Sequence, residues 1–424
     1  MNKIYMIILD GAADRKIQSL GNLTPLEKAN TPALDSLAKR SKQSMITVID
    51  ENICPESDSG AMALLSYDPL IYYPGRGTLE GLGTKFIPKG YSYAAFRVNF
   101  ASYNKEENIL DRRTKRGLSD DELLQLADSI SKNISLKDIC DVDFKLLAFA
   151  HHRGILCLFS NSLELSGNVT NTDPGFKKNG YFGYPVNNYT PIPEKCYPLD
   201  NTEAATLTAK LINIFQERAN EILRNHIVNI NRSKIGKLPA NYLLIRDGGG
   251  VPKELPQFQE KFSLSLSMYG QLPAECAIAE MIGGNFNYSK GLDLQIDKDF
   301  LETAEKKLIE DSADVKFIHL KGPDEPGHDG LPDKKVEAIE IIDKYFISNL
   351  IKDIDHNDIV IVTCDHSTPC ELGIHSSDAV PLMIYSEKLK SDNFDKFCES
   401  NATKGNLEIS KAIDIIPYIK ENLL

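Results

Sequence analysis

IYMIILD (4–10), VKFIHLKGPDEPGHDG (315–330) and IVIVTCDHSTPCELGIH (359–375) decide the fold. Each opens on a short apolar run and breaks off into acidic or histidine-bearing sequence: Ile4–Leu9 before Asp10, Val315–Leu320 before Asp324, Ile359–Val362 before Asp365 and His366. A strand covered on both faces needs no polar side, and parallel sheets gather functional residues beyond the strands' carboxyl ends. Helical spacing occupies Pro32–Arg40, Ser59–Leu65, Asp299–Ile309 and Lys334–Leu350, the last with Val336, Ile339, Ile342, Phe346 and Leu350 three or four residues apart. Strands alternating with helices predict an α/β core, a mainly parallel sheet flanked by helices.

The middle of the chain reads differently. From Ile71 to Glu260 there are mixed polar strands, a long helix near Thr202–Leu223 and loops rich in Asn, Pro, Tyr and Gly, such as Gly175–Pro193. The expected organisation is therefore a core of residues 1–70 and 261–424 interrupted by an inserted α+β domain, 71–260. At ~150 residues per domain, 424 residues accommodate this with ample core.

Composition narrows the function. Forty-eight Lys and Arg against 60 Asp and Glu give a net charge of −12, which removes global support for a nucleic-acid partner. An anionic substrate must then find a local positive site. Eight scattered cysteines without a CxxC pair, and no secretory apolar segment before Asp10, lead to the expectation of reduced thiols in the cytoplasm. No apolar run approaches the ~20 residues of a membrane helix, so no membrane partner is expected.

Five of the eight histidines lie between residues 319 and 375. One Asp-His pair alone reads as a helix cap or a solvated loop. Three clusters, each following an apolar run, read as a ligand supply of mixed carboxylate and imidazole for divalent ions: Asp10; Asp324 and His328; Asp365, His366 and His375. His319, inside its apolar run, reads as a core histidine, and His356 as solvated. Ser57, in PESDSGAMALL (55–65), opens an apolar helical run, where its hydroxyl meets the positive end of the helix dipole. It completes the ligand count and is a candidate nucleophile, with simple capping by Ser57 or Ser59 as the alternative.

MIILDGAADR (6–15), TPLEKANTPALDSLAKR (24–40), PESDSGAMALLSYDP (55–69), YYPGRGTLEGLG (72–83), DRRTKR (111–116), NTDP (171–174), GPDEPGHDG (322–330) and CDHSTPCELGIHSSDAVPLMIY (364–385) closely resemble the archaeal-type, cofactor-independent phosphoglycerate mutases of the alkaline phosphatase superfamily. The resemblance implies an alkaline-phosphatase-like core, a substrate-binding lid in the inserted domain, and two divalent ions: manganese, with zinc, cobalt or magnesium as alternatives. It assigns Asp324, His328 and His375 to one ion, and Asp10, Ser57, Asp365 and His366 to the other. Ser57 becomes the nucleophile that takes phosphate from 3-phosphoglycerate or 2-phosphoglycerate and returns it to the other hydroxyl, with no bisphosphoglycerate required. Of the inserted domain's basic residues Arg97, Arg112, Arg113, Arg116, Arg153 and Arg246, the family blocks favour Arg113, Arg153 and Arg246 as grips for carboxylate and phosphate. Asp173 is implied as acid/base for the glycerate hydroxyl.

Three departures stand out. DRRTKR replaces the family's DRRAGR, RDGGG (246–250) replaces R-x-A-G, and SMYGQLPAECA (267–277) lacks the lysine that meets substrate in the family. Lys115 is the expected substitute for that lysine. The alternatives to a mutase are a phosphatase or another phosphomutase on the same metal core, or a non-catalytic metal-binding protein.

Overall fold

The computed structural model describes residues 2–149, 151–186, 188–288 and 298–424, which divide into two compact units: Met1–Tyr73 with Glu254–Leu424, and Pro74–Lys253. In chain order the strands are β1 (Ile4–Leu9), β2 (Ser41–Ile46), β3 (Ser92–Asn104), β4 (Ile109–Asp111), β5 (Asp143–Phe149), β6 (Arg153–Ser160) and β7 (Phe176–Asn179). There follow β8 (Phe182–Pro185), β9 (Tyr242–Gly250), β10 (Leu266–Gly270), β11 (Asn285–Tyr288), β12 (Val315–Leu320), β13 (Ile359–Thr363) and β14 (Val380–Tyr385).

The first unit is built on one sheet in the order β11-β10-β12-β1-β13-β14-β2, in which the pairs from β11 to β13 are parallel and those of β14 and β2 antiparallel. β1, β12 and β13 are buried at every residue, as their unbroken apolar runs require. Each Ile, Leu or Val so buried contributes about 1.5–3 kcal/mol, which fixes these three neighbours as the rigid centre. Lys316, one of the few polar residues in this layer beside His319 and Thr363, stays there by reaching out: its Nζ donates to the Ile309 carbonyl at 3.2 Å. The expected helix over Lys334–Leu350 comes in pieces, Pro332–Ile342 running into a π turn at Asp343–Ile347 and then Ser348–Asp353.

The inserted unit is antiparallel. β3 lies between β6 and β9, with β5 beyond β6 and β4 pairing with the end of β3. Phe96, Val98 and Phe100 alternate along β3 onto one face, where they join Leu123, Leu126 and Ile130 of helix Asp120–Asn133 and Ile212, Phe215 and Ala219 of helix Glu203–Asn225. The opposite face carries the residues between them, Arg97 and Asn99. Within Gly175–Pro193, expected as loop, β7 and β8 form a short hairpin.

Candidate active site

Three neighbouring strands deliver the acidic and histidine residues to one place. Asp10 follows β1, Lys321 and then Asp324 follow β12, and Asp365 and His366 follow β13 by two residues. Because β1 lies between β12 and β13, residues more than 300 positions apart in sequence become side-chain neighbours. Gly11, at φ +56, admits the closest of them: a Cβ there would stand 2.6 Å from both Asp324 Oδ1 and Thr368 Oγ1. Ser57 is the first residue of helix Ser57–Leu64, and Glu56 occupies the capping position, with its backbone N–H donating to Ser59 Oγ at 3.0 Å. Ser57 Oγ is thereby left for the site, and capping falls to its neighbours.

Two donor groups result. In one, Ser57 Oγ stands 3.4 Å from Asp10 Oδ1 and 3.4 Å from His366 Nε2, which in turn lies 3.3 Å from Asp10 Oδ1 and 3.2 Å from Asp365 Oδ2. In the other, Asp324 Oδ1 is 3.4 Å from His375 Nε2, Asp324 Oδ2 is 3.4 Å from His328 Nε2, and the two ring nitrogens are 3.1 Å apart. The rings of His366 and His375 stack at 3.7 Å between centroids.

Hydrogen bonds set the tautomers. His328 Nδ1 donates to the Gly373 carbonyl at 2.9 Å and His375 Nδ1 to the Pro55 carbonyl at 3.1 Å. Thr368 Oγ1 gives its proton to Asp324 Oδ1 at 2.6 Å, so it must accept from His366 Nδ1 at 3.0 Å. All three imidazoles therefore turn a Nε2 lone pair into the site, the arrangement that ligating histidines take. Donors about 2.0–2.1 Å from one ion at the corners of a tetrahedron stand about 3.3–3.4 Å apart, which the separations match. Asp365 Oδ2, buried and without a hydrogen-bond partner, is a further acceptor suited to a cation. The residues fit divalent ions.

Charge agrees with geometry. Burial pushes Asp365 up, but His366 and then His319 outweigh it and hold the carboxyl at about 2. Burial pushes His366 down, yet Asp365 and Asp10 carry it up to about 10, and Asp324 carries His328 up to about 9. Both shifts favour the protonated rings of His366 and His328 beside these carboxylates.

One residue that sequence reasoning passed over lies here. Lys321 Nζ is 2.9 Å from Asp10 Oδ2 and 3.4 Å from Ser57 Oγ. Lys115, the expected substitute cation, is exposed in the Thr114–Arg116 turn of the inserted unit. His319 is buried as a core histidine would be, but its ring lies between Glu275 and the pair Asp10 and Asp365. The signal for Lys321 was available: a lysine between a buried strand and a ligand aspartate has few apolar reasons to be there.

The inserted unit gathers the predicted arginines on the outer face of its sheet. Arg97 of β3 pairs in register with Arg246 of β9, and Asn99 with Arg153 of β6. Arg97 Nε meets Glu80 at 3.2 Å, and Arg246 contacts Asp247. Arg153 has no carboxylate within ion-pair distance among the described residues; burial and then Arg97 push its guanidinium down to about 10. Asp173 is fully buried and gripped at both oxygens by Arg112, at 2.5 and 2.8 Å, with Arg246 Nε 3.8 Å away. The loop that carries Asp173 is pinned to β9 through Thr172 Oγ1, which accepts the Ile245 N–H at 2.8 Å. Arg113 is exposed; Arg112, beside it, is the one turned onto Asp173.

Residues 2–415 match the model of the metalloenzyme superfamily, the class to which this sheet and its carboxylate-imidazole centre point. Over 412 residues the chain is 36% identical to the 2,3-bisphosphoglycerate-independent phosphoglycerate mutase of Aeropyrum pernix, covering 96% of this chain and 95% of that one. It therefore belongs to the family of 2,3-bisphosphoglycerate-independent phosphoglycerate mutases within that superfamily. Among solved structures, a protein from Pyrococcus horikoshii superposes with a TM-score of 0.79 at 27% identity, covering 100% of this chain and 97% of that one. The cofactor-independent phosphoglycerate mutase from Thermoplasma acidophilum does so with a TM-score of 0.63 at 28% identity, covering 99% of each.

Proposed function

We propose that this protein is a phosphoglycerate mutase that interconverts 3-phosphoglycerate and 2-phosphoglycerate through a phosphoserine on Ser57. The observation that carries the reading is the position of Ser57 Oγ, 3.4 Å from each of Asp10 Oδ1, His366 Nε2 and Lys321 Nζ at the start of a buried helix. Asp324, His328 and His375 would hold one ion and Asp10, Ser57, Asp365 and His366 the other. Two divalent ions, manganese in our reading with zinc, cobalt or magnesium as alternatives, would favour the ionised hydroxyl and offset charge on the phosphoryl oxygens.

Ser57 Oγ attacks phosphorus as the bond from phosphorus to the glycerate oxygen breaks; the serine proton is lost and the glycerate oxygen gains one. After glycerate turns, the reverse step at the other hydroxyl restores Ser57. Lys321 supplies a fixed positive charge beside Oγ throughout, with no proton transfer demanded of it. Asp173 is our candidate for the glycerate proton, held in place at both oxygens by Arg112. Arg246 and Arg153, with Arg113, are the proposed grips for the carboxylate and phosphate. The inserted unit, as a lid, would keep water from the phosphoserine, which is what separates a mutase from a phosphatase. We place the enzyme in the cytoplasm, in keeping with eight free cysteines; among the described residues no helix is long and apolar enough to cross a membrane.

The test is an assay with 3-phosphoglycerate and manganese, without bisphosphoglycerate, that follows 2-phosphoglycerate and inorganic phosphate together. We expect 2-phosphoglycerate, and one added phosphate on the Ser57 peptide in trapped enzyme. Inorganic phosphate as the main product would replace the mutase by a hydrolase.

A further inference from the structure

We propose that His319 is a further ligand of the ion assigned to Asp10, Asp365 and His366, aimed by Glu275; the proposal rests on the two-ion reading above. His319 Nδ1 lies 2.5 Å from Glu275 Oε1. A carboxylate accepts, so Nδ1 carries a proton and Nε2 faces the other way, where the neutral ring offers a lone pair, just as the Nδ1 atoms of His328, His366 and His375 are engaged by their own partners. His319 Nε2 is 3.1 Å from Asp365 Oδ2 and 3.5 Å from Asp10 Oδ1. His366 Nε2 meets the same two oxygens at 3.2 and 3.3 Å.

The two close atoms do not bond each other. His319 Nε2 and Asp365 Oδ2 are both buried without a hydrogen-bond partner, although they are in contact range. Buried polar atoms are costly to leave unmatched, and two donors that approach without pointing at one another are placed as ligands of a shared cation are placed. The support behind the ring is also built for it. Glu275 Oε2 accepts the backbone N–H groups of Gln271 and Leu272, each at 2.9 Å. Gly270 makes room, since a Cβ there would overlap that carboxylate. In the segment where the family's lysine is missing, this chain thus places an anion whose partner is a ring nitrogen of the metal centre.

The experiment is calorimetric titration of the chelator-stripped full chain with Mn²⁺ alone. Wild type should show two binding events, and Asp365→Asn identifies the one that belongs to this group. His319→Ala should weaken that event by at least about tenfold and leave the other unchanged, and Glu275→Gln should weaken the same event by about 10–100-fold. In a His328→Ala background, which keeps the one ion, pulsed paramagnetic resonance of bound Mn²⁺ should lose one directly coordinated imidazole nitrogen on His319→Ala. If that variant does not fold, His319→Gln, closer in volume, takes its place in both measurements. Wild-type affinity with unchanged nitrogen coupling would overturn the proposal, as would an equal loss at both events, the sign of a purely structural role. A wild-type chain that binds no Mn²⁺ would instead overturn the two-ion reading itself.

Discussion

The two units bury charge in opposite senses. At the strand ends of the first, Asp10, Asp324, Asp365 and Glu275 face imidazoles and Lys321; in the second, Arg76, Arg97, Arg112 and Arg246 meet Glu80, Asp173 and Asp247, with Arg153 beside Arg97. Burial and then Arg97 push Arg246 down to about 10, as expected where buried cations outnumber their anions. One cluster fits bound cations, the other a bound anion. The supports differ as well: loop residues held by carbonyls at the ends of parallel strands, against alternate residues on a pleated antiparallel face.

The harshest test of the division is Ser57→Ala, which should lower kcat by more than about 10⁴-fold with little change in thermal stability. Turnover near wild type would move the chemistry away from the anionic cluster. Next comes pH. His366 and His328, carried up to about 10 and about 9, are protonated in the metal-free chain at neutral pH, so each ion must displace a proton. Affinity for Mn²⁺ should therefore rise with pH, by about a hundredfold per ion between pH 6 and 8, at about tenfold per unit. Titration in buffers of different ionisation heat counts the protons released; none released would contradict the raised proton affinity of His366 and His328.

The arginine cluster should respond in two ways. If Arg153 is the grip proposed above, Arg153→Ala should raise KM for 3-phosphoglycerate by roughly 10–100-fold, the loss of about 1.5–3 kcal/mol from one charge-assisted contact, while the melting temperature holds. Arg112→Ala should instead destabilise the chain by about 3–5 kcal/mol, because it strands the buried Asp173 carboxylate; denaturant unfolding measures it. Equal behaviour of the two variants would erase the distinction between a paired and an unpaired arginine. The smallest effect concerns DRRTKR. Thr114, Lys115 and Arg116 all have φ near +50. Lys115→Gly should add up to about 1 kcal/mol of stability by relieving left-handed backbone, and a loss would show that the lysine side chain holds the turn.

Much of this was legible in the chain itself. Unbroken apolar runs ending at Asp10, before Asp324 and before Asp365 announced buried parallel strands with chemistry at their ends, because a strand covered on both faces tolerates little else. Asp-His spacing announced ligands, because a carboxylate and an imidazole close in sequence after a buried strand reach one point. What stayed hidden depended on which strands are neighbours. His319 looks like core within VKFIHL, and nothing local distinguishes it; only the order β12-β1-β13 sets its ring against Asp10 and Asp365, and only the turn after β10 brings Glu275 behind it. The meeting of Arg112 with Asp173, and of Lys321 with Ser57, is of the same kind. Sequence determined the elements and the residue types that could do the chemistry, since burial and ligand character are properties of single segments. Tertiary structure decided the pairings, since a contact between residues hundreds of positions apart exists only once the sheet has set its strand order.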